Sequence, residues 1–130
     1  MASSQGLKCC SFEQTGIDGK TTGATLIGTT PNNGLTFHPM FVTVKVTAAT
    51  AILAVASVSV GQTGASYSDI MAIAPITGLT AANKMINFTV GLSAIDAIAA
   101  NTGIYVNVTT GATATTCTLS VAVHGYYTTT

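Results

Sequence analysis

The stretch Cys117-Thr118-Leu119-Ser120-Val121-Ala122-Val123-His124 decides the fold. Apolar residues stand at every second position and small or polar residues between them, the period of a strand with one face in a core and the other turned away from it. The pattern predicts that Cys117, Leu119, Val121 and Val123 point inward, that Thr118, Ser120, Ala122 and His124 point outward, and that Gly125-Tyr126-Tyr127 ends the strand. The same alternation recurs at Val42, Val44 and Val46 against Thr43, Lys45 and Thr47, and at Ile104, Val106 and Val108 against Tyr105, Asn107 and Thr109. Most of these residues are β-branched, which suits a pleated, half-buried surface.

Working outward, weaker strands are expected over Ala24–Thr29, Val55–Val60 and Lys84–Val90. Pro31-Asn32-Asn33-Gly34 holds an Asn-Gly pair that tolerates positive φ and favours a tight turn, and Pro39 should make the next strand start late or lie at an edge. Ser93-Ala94-Ile95-Asp96 has the capping arrangement of a helix start, which predicts a short helix over Ala94–Ala100 ending near Asn101 to Gly103. A second short turn is expected at Ser68–Ala74, halted by Pro75. Six to eight strands, one short helix and no βαβ alternation predict an all-β, jelly-roll-like antiparallel β-sandwich over residues 24–130. Residues 1–23 hold half of the charges and little periodicity, and are expected to form an extended N-terminal arm.

Composition narrows the function. The chain has 130 residues, enough for one domain with one core. It is 48% hydrophobic but only 6% charged, against about 25% charged in an ordinary soluble domain. Lys8, Lys20, Lys45 and Lys84 balance Glu13, Asp18, Asp69 and Asp96, arginine is absent, and the formal charge is zero. Small soluble domains commonly carry a net charge of about 2–8, so a surface this poor in charge is expected to be covered by partners. Nucleic-acid and membrane-surface binding are not expected, because both need a basic face. Met1-Ala2-Ser3-Ser4-Gln5-Gly6 has no charged start before an apolar core, so synthesis in a cytoplasm without a signal peptide is expected.

The constellations that could carry chemistry are thin. Cys9 and Cys10 are adjacent and cannot pair without strain, and Cys117 alternates with core residues, so reduced thiols and a packing role for Cys117 are expected. Cys9-Cys10 with remote His38, Cys117 and His124 lacks metal-ligand spacing. Gly16-Ile17-Asp18-Gly19-Lys20-Thr21-Thr22 resembles the end of a phosphate-binding loop, but no glycine stands at Gln14 and neither the strand before it nor the helix after it is patterned, so a turn is expected. A small hydrolase could draw on His38 or His124 with Asp69 or Asp96, and only four carboxylates are available for glycoside chemistry. Asn87-Phe88-Thr89 and Asn107-Val108-Thr109 match the glycosylation pattern, which carries little weight in a chain this rich in threonine. No catalytic residue, metal or cofactor is expected.

The chain as a whole resembles the small β-sandwich structural proteins of tailed bacteriophages, especially capsid decoration or cement proteins. The residues that carry the resemblance are Ile27-Gly28-Thr29-Thr30, Phe37-His38-Pro39, Val58-Ser59-Val60-Gly61 with Tyr67-Ser68-Asp69-Ile70, and the closing Val121-Ala122-Val123-His124-Gly125-Tyr126-Tyr127. It implies a virion protein on the capsid surface, a jelly-roll subunit, often a homotrimer, that sits where major capsid proteins meet and ties them against internal pressure, with its arm across neighbouring subunits. Phe12, Phe37, His38, Tyr67, Tyr126 and Tyr127 are the expected contact residues. The alternative reading is a tail-fibre or spike receptor-binding module, which would keep an exposed loop for glycans; a cellular adhesin-type sandwich would usually bring a secretory signal.

Overall fold

In the computed structural model, which describes residues 8–90 and 97–129, the alternating segments form eight strands in two antiparallel sheets. The strands are β1 (Lys8–Asp18), β2 (Gly23–Thr29), β3 (Leu35–Thr50), β4 (Ser57–Gly61), β5 (Met71–Pro75), β6 (Met85–Thr89), β7 (Gly103–Thr110) and β8 (Thr116–Thr129). One sheet runs β1-β8-β3-β6 and the other β2-β7-β4-β5. Each strand thus pairs with the one equally far from the other end of the chain, β1 with β8, β2 with β7, β3 with β6 and β4 with β5.

The long pair β3 and β8 is the spine of the fold, in register from Leu35 opposite Thr129 to Thr50 opposite Thr116. The inward set behaves as its period dictates: Val42, Val44, Val46, Leu119, Val121 and Val123 are fully buried, and face Ile104, Val106, Val58 and Val60 of the second sheet. Cys117 is buried among them, and loss of water around it pushes its thiol pKa up, with the Asp18 charge adding to the effect. That is the setting of a packing residue rather than a reactive one.

Five expectations are corrected. Residues Lys8–Asp18, expected within the arm, are a strand hydrogen-bonded along β8, with Gly16 at φ +70 where the register shifts between Gln14 and Ile17. The sequence hides this strand because it is an edge, and its burial alternates only at Phe12, Gln14 and Ile17. Pro39 lies inside β3, an interior strand, instead of before a late start or on an edge strand; it stands opposite Gly125 of β8, and because the Phe37 N–H turns away from β8 to the Ile98 carbonyl, the Pro39 nitrogen two residues on faces the same flank, which β6 pairs only from Phe41 onward. Gly125-Tyr126-Tyr127 continues β8 to Thr129. Ser68–Ala74 holds no helical turn, its second half being β5, and the short 3-10 turn falls earlier at Thr63–Ala65. The helix expected over Ala94–Ala100 lies partly outside the described residues, but Ala97–Ala100 are not helical: Ile98 is buried in an antiparallel bridge with Phe37, both of whose backbone groups it bonds. There, covering the uncapped flank of β3 outweighs local helix propensity.

Ser59 is buried and, among the described residues, its Oγ has no hydrogen-bond partner. A buried orphan hydroxyl costs about 1–3 kcal/mol. Ser59→Ala should therefore raise the thermal midpoint by a few degrees in a melting experiment; a lower midpoint would show that the hydroxyl is satisfied in solution.

Candidate functional site

The face of β1-β8-β3-β6 turned away from the core brings together three of the candidates, His38, His124 and Tyr126. Because β3 and β8 are antiparallel and in register, their outward residues meet in cross-strand pairs. His38 stacks on Tyr126 with ring centroids 4.8 Å apart and planes 17° from parallel, and Phe41 stacks on His124 at 4.5 Å and 22°. The bulge at Pro39 brings Phe41 onto this face.

Hydrogen bonds fix both imidazoles. His38 Nε2 lies 2.7 Å from Thr128 Oγ1, and His124 Nε2 lies 3.2 Å from Thr43 Oγ1. The Thr43 hydroxyl donates to Asn87 Oδ1 at 2.6 Å, so its oxygen is left to accept, and the proton on the contact with His124 belongs to the ring. This arrangement does not make His124 a base toward Thr43. Ser120, the serine in this region, donates to Glu13 Oε2 at 3.1 Å rather than to an imidazole.

Between these groups lies a shallow dip of about 250 Å³ lined by Glu13, Thr43, Lys45, Met85, Ser120, Ala122 and His124. Ser120 and Ala122 are small and form its centre on β8, while Glu13 on β1 and Lys45 on β3 stand to either side. Met40, Phe41 and Met85 are large apolar side chains left exposed on this sheet.

The other expected contact residues divide. Phe37 is fully buried, and packs edge-on against Phe12 at 5.1 Å and against Tyr127 at 5.5 Å. Tyr127 retains only 8% of its surface. Phe37 and Tyr127 are therefore core residues, and half-buried Phe12 leans on them. Their place follows from the parity of β3 and β8: His38 and Tyr126 point out, so their neighbours Phe37 and Tyr127 point in. Tyr67 sits on the other side of the molecule, edge-on to Tyr105 at 5.2 Å, in a turn where Ser66 and Tyr67 both have positive φ. Asp69 holds that turn by accepting from the Gln62 backbone N–H at 2.8 Å and its side-chain amide at 2.7 Å. Met40 and Met85 carry no signal in the sequence beyond being apolar at outward positions.

The glycine-rich segment Gly16–Thr22 closes the turn from β1 to β2. Asp18 accepts from the Lys20 N–H and the Thr21 hydroxyl, which lowers its carboxyl pKa, and Lys20 Nζ donates to the Thr115 carbonyl at 2.9 Å. A strand follows it, not the helix of a phosphate-binding loop. Among the described residues no group of three or more His, Cys, Asp or Glu side chains is placed to hold a metal ion. No helix among them is long and apolar enough to cross a membrane.

Two facing antiparallel sheets with almost no helix make this chain a β-sandwich. No protein-family model matches it, and no curated protein does at a significant level. Among solved structures it is similar to a chain in the capsid of Ralstonia phage GP4, with a TM-score of 0.57 and 16% identity over 95% of this chain and 84% of the other. It is also similar to a chain of the cyanophage Pam1 capsid asymmetric unit, with a TM-score of 0.53 and 19% identity over 98% of this chain and 91% of the other. The fold is thus one found in phage capsids.

Proposed function

We propose that this chain is a structural protein of a bacteriophage virion, a decoration or cement subunit that sits on the capsid surface and stabilises the particle by binding between major capsid proteins. The observation that carries the proposal is the likeness to two phage capsid chains over nearly the whole length of this one. The nearly uncharged surface supports it, since such a surface is best accommodated when partners cover it. In this reading the sandwich is a jelly roll: the strand orders β1-β8-β3-β6 and β2-β7-β4-β5 are what results when one long antiparallel ribbon is rolled up. The subunit acts without catalysis or cofactor, as a homotrimer, and its stabilising effect is the sum of many modest contacts repeated by symmetry.

The test is to compare particles with and without the chain. Particles lacking it should release their genome at a lower temperature, and adding back the purified protein should restore the wild-type midpoint. Equal midpoints, or failure of the protein to bind the particles, would contradict the reading. Because only 6% of the residues are charged, binding to particles should change little when ionic strength rises roughly tenfold, from about 0.1 to about 1 M. A steep loss in co-sedimentation with salt would show that ion pairs drive attachment.

A further inference from the structure

We propose that Asn33 is a site of spontaneous covalent modification, at which the side-chain amide is displaced by the Gly34 backbone nitrogen and an aspartate or isoaspartate takes its place. This goes beyond the proposed function and does not depend on it. Of the six asparagines, Asn33 alone precedes a glycine. Residues 32–34 form the bend between β2 and β3, outside either strand, and both Asn33 and Gly34 are exposed. Asn33 Oδ1 accepts the Leu35 N–H at 3.0 Å, which folds the side chain back along its own backbone past the Gly34 peptide and polarises the amide carbonyl toward attack at Cγ. Gly34 has φ +75, and a Cβ built on it would meet nothing within 4 Å, so the residue that must turn toward Cγ has room and the widest backbone freedom.

The reaction needs only water. The Gly34 amide gives its proton to solvent base, its nitrogen bonds to Asn33 Cγ, and the side-chain nitrogen leaves as ammonia, closing a five-membered cyclic imide. Water then opens the ring at either carbonyl, giving aspartate when the original backbone bond is kept and isoaspartate when the chain is left running through Cβ and Cγ. One water is consumed, one ammonia is released, and nothing is oxidised or reduced. The other asparagines are placed against this chemistry. Asn87 and Asn107 lie within β6 and β7, and Asn87 Oδ1 is engaged by the Thr43 hydroxyl at 2.6 Å. Asn32, Asn83 and Asn101 precede Asn33, Lys84 and Thr102, whose side chains crowd the attacking nitrogen. For this chain the change is large: four lysines against four carboxylates become four against five, and a neutral molecule acquires one negative charge. Isoaspartate lengthens the backbone just ahead of Leu35, the residue opposite Thr129 at the outermost pair of β3 and β8, so the strands themselves stay paired.

The measurement is isoelectric focusing of the folded, full-length protein during incubation at mildly alkaline pH, with peptide mapping by mass spectrometry. A more acidic species should accumulate and carry the mass increase of an amide-to-acid conversion in the peptide that holds Asn33, with isoaspartate as the larger product. Peptides holding the other asparagines should convert at least tenfold more slowly. Asn33→Asp should focus with the acidic species from the start and stay there. Asn33→Gln keeps an amide but would have to close a six-membered ring, and should show no acidic species over the same period. The inference is overturned if the folded protein keeps Asn33 intact while the same peptide converts in urea, if another asparagine converts as fast, or if Asn33→Gln acidifies at the wild-type rate.

Discussion

Replacing Phe37 by alanine is expected to destabilise the protein by about 3–5 kcal/mol, the cost typical of deleting a buried aromatic ring and leaving its cavity. Phe37 is fully buried on β3 and is the ring on which Phe12 from β1 and Tyr127 from β8 both converge, at 5.1 and 5.5 Å. Its backbone is committed as well, donating to the Ile98 carbonyl at 2.9 Å and accepting from the Ile98 N–H at 2.7 Å. Loss of the ring therefore loosens three strands together and the segment that caps them. A single domain is stable by only about 5–15 kcal/mol, so the variant should lose a large share of its margin in urea denaturation. A change below about 1 kcal/mol would mean that the ring is not packed as described.

Gly125→Ala should have the next largest effect. Gly125 faces Pro39 across the spine of the sheet, and a Cβ there would run into the His38 carbonyl and the Phe37 ring. The obstruction is backbone on one side and a fully packed ring on the other, so neither can swing aside. Forcing atoms into such a site typically costs about 1–3 kcal/mol, and here it would also part β8 from β3 next to the His38–Tyr126 stack. The variant should unfold at a lower denaturant midpoint. Phe41→Ala, placed on the outer face alone, should unfold like wild type. An unchanged midpoint for Gly125→Ala would show that the strands have room to separate.

The parts of the fold that were legible in the sequence are those where one face is buried and the other is not. Residues 42–46, 104–109 and 117–123 alternate cleanly because each lies inside a sheet with the core on one side. Legibility failed where tertiary contact replaced local pattern. Lys8–Asp18 is an edge strand broken by Gly16, so its apolar residues are too sparse to show a period. Pro39 argues against an interior strand on local grounds, and its position is tolerable because its nitrogen faces the flank of β3 that β6 pairs only from Phe41 onward. Ile98 follows a helix-like cap in sequence, yet bonds to Phe37, which stands 61 residues earlier in the chain.

The outer face was half legible. His38, Tyr126 and His124 were identifiable as outward residues beside a strand, but the list of contact residues mixed parities. Phe37 and Tyr127 adjoin His38 and Tyr126, and in a strand one step along the chain exchanges the core for the surface. Stacked pairs such as Phe41 on His124 depend on the register between β3 and β8, including the bulge that shifts it, and no single strand encodes that.

The claim that this is a virion structural protein is tested most directly by quantitative mass spectrometry of purified phage particles. The chain should remain with particles through density-gradient purification, at a fixed ratio to the major capsid protein across preparations and salt concentrations. Its absence from purified particles, or a ratio that falls with each round of washing, would contradict it.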